Sequence, residues 1–120
     1  QVALTVDSDE RIKKDIKPLP SALEFIDSLK PVTFKQKNPA DYPEKIRPAG
    51  IKRGKDNPDV HLGLIAQELE KTLKKQGIDW NIVKTASNGK KSITYESLII
   101  PLIKAVQELS AKVALLQKEK

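Results

Sequence analysis

The sequence predicts an α+β fold: short helices and a small antiparallel β-hairpin, followed by a long C-terminal helix that forms a coiled coil. Three observations carry this. Asn88-Gly89 lies between two runs of strand-forming residues, the dipeptide that most readily turns a hairpin. "SALEFIDSL" and "LIAQELEKTLKKQG" have helical starts, spacing and stops. Six apolar residues from Ile99 to Leu116 recur at heptad spacing.

Composition sets the bounds. A chain of 120 residues, 38% of them apolar, supports one domain with a modest core. The opening on Gln1 and the lack of any methionine lead us to expect a fragment of a longer protein, most simply a C-terminal one. There is no apolar run of transmembrane length and no signal-peptide pattern, so a membrane partner is not expected. The absence of cysteine excludes disulfides, thiolate metal sites and cysteine nucleophiles, and a single histidine, His61, excludes a His-rich metal site. No cofactor and no metal are expected. The net charge of +6 arises from 22 basic and 16 acidic residues interleaved along the chain, the pattern of a solvated surface.

The first helix is expected to start at Ser21, an N-cap with Glu24 completing a capping box, and to stop at Lys30-Pro31. Leu23, Phe25, Ile26 and Leu29 form its apolar side. "PVTFKQK" follows as a short strand in which Val32 and Phe34 alternate with polar residues. From 38 to 60 four prolines, with Gly50 and Gly54, forbid regular structure, and so long a loop in a small domain is usually functional or disordered. "HLGLIAQELEKTLKKQG" reads as a short extended lead-in and a helix. Ile65, Leu69 and Leu73 make its apolar stripe, Glu70 and Lys74 can pair along it, and Gly77 ends it. "WNIVKTAS" and "KKSITY" then form the hairpin through a type I′ turn at Asn88-Gly89, and Tyr95 is expected to close it onto the long helix.

In that helix, over 98–120, Ile99, Leu102, Val106, Leu109, Val113 and Leu116 are spaced three, four, three, four, three, with β-branched residues at every a and leucine at every d. This is a coiled-coil seam. By intrinsic preference the pattern suits a parallel dimer, and an alternative is one amphipathic helix lying on its own domain. Pro101 falls near the helix start, where a missing N–H costs least, and a slight kink is expected there.

The N-terminal stretch "VDSDERIKKD" admits two readings. Asp7 with Glu10 makes a capping box, leaving Lys13 and Lys14 as solvated charges; alternatively Ser8 is a nucleophile and Lys13 its base. Five residues along an α-helix turn through about 500°, placing the two side chains about 140° apart. They cannot meet on one straight helix, so either a turn intervenes or Lys13 reaches the serine of another chain.

Three motifs, "SDERIKKDI" at 8–16, "HLGLIAQE" at 61–68 and "ITYESLIIPLIKAVQEL" at 93–109, together with "ALEFIDSLKPVTF", give the chain a resemblance along nearly its whole length. It resembles the intramolecular chaperone domain at the C-terminus of phage tail spikes, tail fibres and neck appendages, a self-cleaving peptidase family shared with the myelin regulatory factor. The stretch 38–60 matches no motif of that family.

The resemblance implies a homotrimer in which the chain's partners are itself and the upstream fibre domain that it helps to fold. Residues 1–7 would be the end of that upstream segment and residues 8–120 the chaperone. Ser8 would be the nucleophile, Lys13 the general base, and the bond cut that between Asp7 and Ser8; Asp9, His61, Gly63, Gln67 and Glu68 would support the site, although Gln67 and Glu68 read more readily as the first turn of a solvated helix. Processing would take place in the host cytoplasm during virion assembly, and the domain would be absent from the mature fibre. A non-catalytic trimerisation module is the alternative. A nucleic-acid binder is motivated by the pI near 9.5 and by Arg47, Lys52, Arg53 and Lys55. It is disfavoured because none of the two Phe, two Tyr and one Trp is interleaved with those residues as a stacking platform.

Overall fold

Phe25, Leu69, Leu73 and Ile82 form the buried centre of the molecule, with Ile26, Leu29, Leu64, Ile78, Trp80, Val83, Ile93 and Leu98 packed around them. The computed structural model describes residues 5–119; Gln1 to Leu4 of the expected upstream segment and Lys120 lie outside the described residues. The core is assembled by three helices, α1 (Leu23–Asp27), α2 (Ala66–Lys75) and α3 (Ile99–Lys118), and two antiparallel ribbons, β1 (Val32–Lys35) with β2 (Val60–Gly63) and β3 (Val83–Thr85) with β4 (Lys91–Ile93). The α+β class follows.

Helix α1 carries Phe25 into the core, where its ring meets Trp80 edge to face at 5.3 Å. Its start differs from expectation. Ser21 makes no capping contact; the N-cap position is Ala22, and the carboxylate of Glu108, far along α3, accepts from Ser21 Oγ at 2.5 Å and from Ala22 N–H at 2.6 Å. The N–H of the N-cap is thus satisfied from another helix. These hydrogen bonds, that from Ser21 first, hold the Glu108 carboxyl below its ordinary range.

Strand β1 keeps the expected alternation, Val32 and Phe34 turned inward and Thr33 and Lys35 outward, and pairs Phe34 with His61 and Thr33 with Leu62. The stretch 38–60 between the strands contains two single 3₁₀ turns, Pro39–Asp41 and Glu44–Ile46, and is organised by Asn38. That buried side chain donates to Gly54 O and Asp56 Oδ1, both at 2.9 Å, and accepts from Ala40 N–H. Arg53 is ion-paired to Asp41, so one of the four basic residues of this loop is already neutralised.

Helix α2 buries Leu69 and Leu73 and ends in a Schellman motif: Gly77 at φ 66° donates to Lys74 O, and Ile78 to Leu73 O at 2.9 Å. Ile65 is the N-cap and stays largely exposed. Glu70 pairs across to Lys91 at 3.1 Å and not to Lys74 along the helix, because the hairpin lies against this face and half-buries both charges. The hairpin stands where expected but its turn differs. Asn88 is not at positive φ; Gly89 alone is, at 90°, with Gly89 N–H bonded to Ala86 O and Ala86 N–H to Lys90 O. That is a three-residue loop with a glycine bulge in place of a type I′ turn.

A 3₁₀ turn, Tyr95–Leu98, leads into α3, which packs on α1 through buried Pro101 and Ala105. The heptad stripe lies on another face. Its six residues are 47–61% exposed, so the stripe is not buried on its own domain. With the N-terminal segment also standing off, the radius of gyration is 19.0 Å, against about 14 Å for a compact chain of this length. Among the described residues no helix is long and apolar enough to cross a membrane.

Candidate functional site

The N-terminal arm folds around one small turn. Asp9 is the N-cap of a 3₁₀ helix, Glu10–Ile12, its carboxylate accepting from the N–H of Arg11 at 2.9 Å. Arg11 folds back and donates from Nε and Nη2 to the two oxygens of the same carboxylate, at 3.0 and 2.7 Å. This fork holds the Asp9 carboxyl below its ordinary range and raises the guanidinium. Asp9 therefore takes the capping role that the sequence assigns to Asp7 and Glu10. The difference is local chemistry: Asp9 alone has an arginine two residues on to close both oxygens.

The turn brings Ser8 and Lys13 together. Residues 8 and 13 flank the 3₁₀ helix, with Lys13 already in extended backbone as its C-cap, and Lys13 Nζ donates to Ser8 Oγ at 2.6 Å. The intervening turn thus joins them within one chain. A lysine whose nitrogen is neutral at that distance would accept the serine proton instead of donating. Beyond the pair, Asp15 adopts φ 56°, the one non-glycine residue described at positive φ, and redirects the arm toward Pro18 and Pro20. Val6, Ile12 and Ile16 of this arm all face solvent.

The remaining residues singled out by sequence lie in the body. His61 stacks on Phe34 at 5.5 Å, and its Nε2 is enclosed without a hydrogen-bond partner. Gly63 is a point of close approach, since a Cβ there would come within 2.7 Å of Tyr95 Oη. The Tyr95 hydroxyl accepts from Leu64 N–H at 2.8 Å, tying β2 to the start of α3. Gln67 and Glu68 are exposed in the first turn of α2. Among the described residues none of these four makes a hydrogen bond to Ser8, Asp9 or Lys13. Arg11 and Glu108 are the structural residues that sequence reasoning passed over. An Asp-x-Arg spacing at a turn is a signal for the first; no local signal points to the second.

The site is thus a small α+β body with an exposed heptad stripe on α3 and a serine–lysine contact on a projecting arm. Residues 8–78, more than half of the chain, match the family described as chaperone of endosialidase, and the chain belongs to that family. The match begins at Ser8 and runs through α2; the hairpin and α3 lie beyond it. The family bears the name of a peptidase as well as of a chaperone, and an intramolecular chaperone role with a protease-like self-processing activity goes with membership. No curated protein is similar enough to count as a relative.

Proposed function

We propose that this chain is a C-terminal intramolecular chaperone that trimerises through the α3 stripe, folds the fibre, spike or appendage segment ahead of it, and severs itself at the Asp7–Ser8 bond. The observation that carries the reading is the 2.6 Å approach of Lys13 Nζ to Ser8 Oγ across the Asp9-capped turn. Neutral Lys13 takes the hydroxyl proton as Ser8 Oγ attacks the carbonyl carbon of Asp7. The amide C–N bond breaks, the proton passes to the departing α-amine of Ser8, and the Asp7 acyl group rests on Oγ as an ester. Water then hydrolyses the ester, leaving a carboxylate on Asp7 and restoring the hydroxyl of Ser8. Nucleophile and scissile bond belong to adjacent residues, so the attack needs orientation more than reach.

Desolvation favours the neutral amine that this step requires, and both side chains are exposed in the single chain. Assembly with the client is the event that supplies the missing burial. Processing then belongs to the host cytoplasm during virion assembly, after which the domain leaves the mature fibre.

Expression with the natural upstream fibre, followed by intact-mass measurement, tests the proposal. The expected product is a fragment beginning at Ser8, absent from Ser8→Ala and from Lys13→Ala. Native-rate release from either variant removes the dyad, and a folded trimer that never cuts moves the domain to the class of non-catalytic trimerisation modules.

A further inference from the structure

An apolar cleft of about 600 Å³ opens between the β1–β2 ribbon and the start of α3, walled by Ile26, Leu29, Leu62, Tyr95, Leu98 and Leu102. Two features of this cleft are unexplained by the single chain. Leu62 stands on the outward face of β2, opposite Thr33, and is 83% exposed. Leu102 is at once a wall of the cleft and a d residue of the heptad stripe. Whatever covers the stripe therefore meets the cleft as well.

The arm supplies what the cleft lacks. Ile12 and Ile16, 67% and 64% exposed, have no place in the core, and they bracket Lys13 and the two residues after it. We propose that the cleft is a docking site for residues 12–16 of the arm of a second copy of this chain. The inference rests on the trimer proposed above and names the surface that completes it.

Geometry allows the reach. The arm is rooted at Ser21 and Ala22, which are pinned to Glu108, six residues along α3 from Leu102. Six residues of helix rise roughly 9 Å, and packed helices sit roughly 8–10 Å apart, so a neighbour's cleft lies on the order of 13 Å from the root. Ile16 is five residues before Ser21, a span of up to about 17 Å when extended. The proline at 18 and that at 20 keep this connector extended. Repeated around a three-fold axis, each arm fills the next copy's cleft and the ring closes. The docked arm carries Ser8 and Lys13 out of solvent into the seam between two copies.

The chain contains no cysteine, so an Ile16→Cys, Leu62→Cys double variant has only the two introduced thiols. Under mild oxidation, docking between copies converts the bulk of the protein to reducible covalent trimers. A control pair, Ile16→Cys with Ser87→Cys on the hairpin loop, yields little. An internal disulfide at monomer mass puts the arm in its own cleft and overturns the proposal. Light scattering keeps the two readings apart: a trimer without crosslinks beyond the control overturns the docking alone, whereas a monomer overturns the trimer and the docking with it. Leu62→Asp gives a second readout at a position the single chain leaves open. It keeps the secondary structure and weakens the trimer, and a Leu62→Asp trimer as stable as the parent also overturns the docking.

Discussion

Gly63→Ala tests the contact through which β2 is locked to the start of α3. The added methyl would lie 2.7 Å from Tyr95 Oη and 3.0 Å from Phe34 Cε1. The hydroxyl is held by its hydrogen bond from Leu64 N–H, and the Phe34 ring by its stacking on His61. Overpacking of this kind costs about 1–3 kcal/mol. Displacing the hydroxyl from Leu64 N–H, now 2.8 Å away, adds about 1 kcal/mol. Replacing a strand glycine by alanine recovers about 0.5–1 kcal/mol. The net is a destabilisation of about 1–3 kcal/mol, or a Tm lowered by about 4–12 °C for a domain of this size. Thermal melts at matched protein concentration measure it, since association makes Tm concentration-dependent. Tyr95→Phe supplies the decisive arm, because removing the hydroxyl leaves the new methyl only the ring carbon at 3.7 Å and Phe34 to meet. The double variant should be less destabilised than the sum of the singles by about 1 kcal/mol. Strict additivity would refute the claim that the hydroxyl fills the space a side chain at 63 would need.

Three further outcomes are expected. Lys14→Ala should cut at close to the native rate where Lys13→Ala does not, because only Lys13 meets Ser8 across the turn; intact mass after expression with the fibre decides it. Leu109→Asp should leave the single domain folded, since the side chain is half exposed there, yet abolish assembly by burying unpaired charges at the axis, as read by light scattering. Glu108 has a folded-state pKa below its ordinary 4.5, so its contribution is present above about that pH and is lost as the pH falls through the folded value. Melts of the parent and of Glu108→Gln, compared from neutral to acid, should converge on the acid side.

What could be read from the sequence divides by range. Periodic features were legible: the heptad stripe, the alternation of Val32 and Phe34, and the glycine stop at Gly77 are each set by residues a few positions apart. Identity was harder where one local pattern serves two geometries. Asn88-Gly89 suits a type I′ turn and equally a three-residue loop with the bulge at Gly89, and the side chains flanking it, Lys91 to Glu70 among them, answer to α2 and not to the dipeptide. Capping by Ser21 and pairing of Glu70 with Lys74 were both sound locally. Each lost to a partner from a distant part of the chain, Glu108 in one case and Lys91 in the other. In the arm, the α-helical arithmetic correctly barred a straight helix, and the tighter 3₁₀ turn fixed by Asp9 and Arg11 was one of the two ways left open.

The same long-range contacts bear on why a self-cutting chain should not cut too soon. The serine–lysine contact is local, complete within six residues, and forms without any help from the body. A dyad that depended on nothing else would fire as soon as the arm was made. Desolvation is the step that the arm cannot supply alone, because every residue from 5 to 18 faces solvent in the single chain. The arm is anchored to α3 by Glu108, and α3 carries the stripe. Association along the stripe, as proposed, would therefore fix the root of each arm relative to its neighbours before the arm itself is buried. In the proposed assembly, chemistry placed at the end of that sequence reports on assembly, since exclusion of water favours the neutral amine that the step needs. An arm whose anchor is removed by Glu108→Ala should consequently keep its Ser8–Lys13 contact and still process slowly, with the deficit appearing in the rate of cleavage and not in the site of the cut. Cleavage at the parent rate in that variant, with the trimer intact, would show that the arm finds its buried place without the anchor and would break this link between assembly and chemistry.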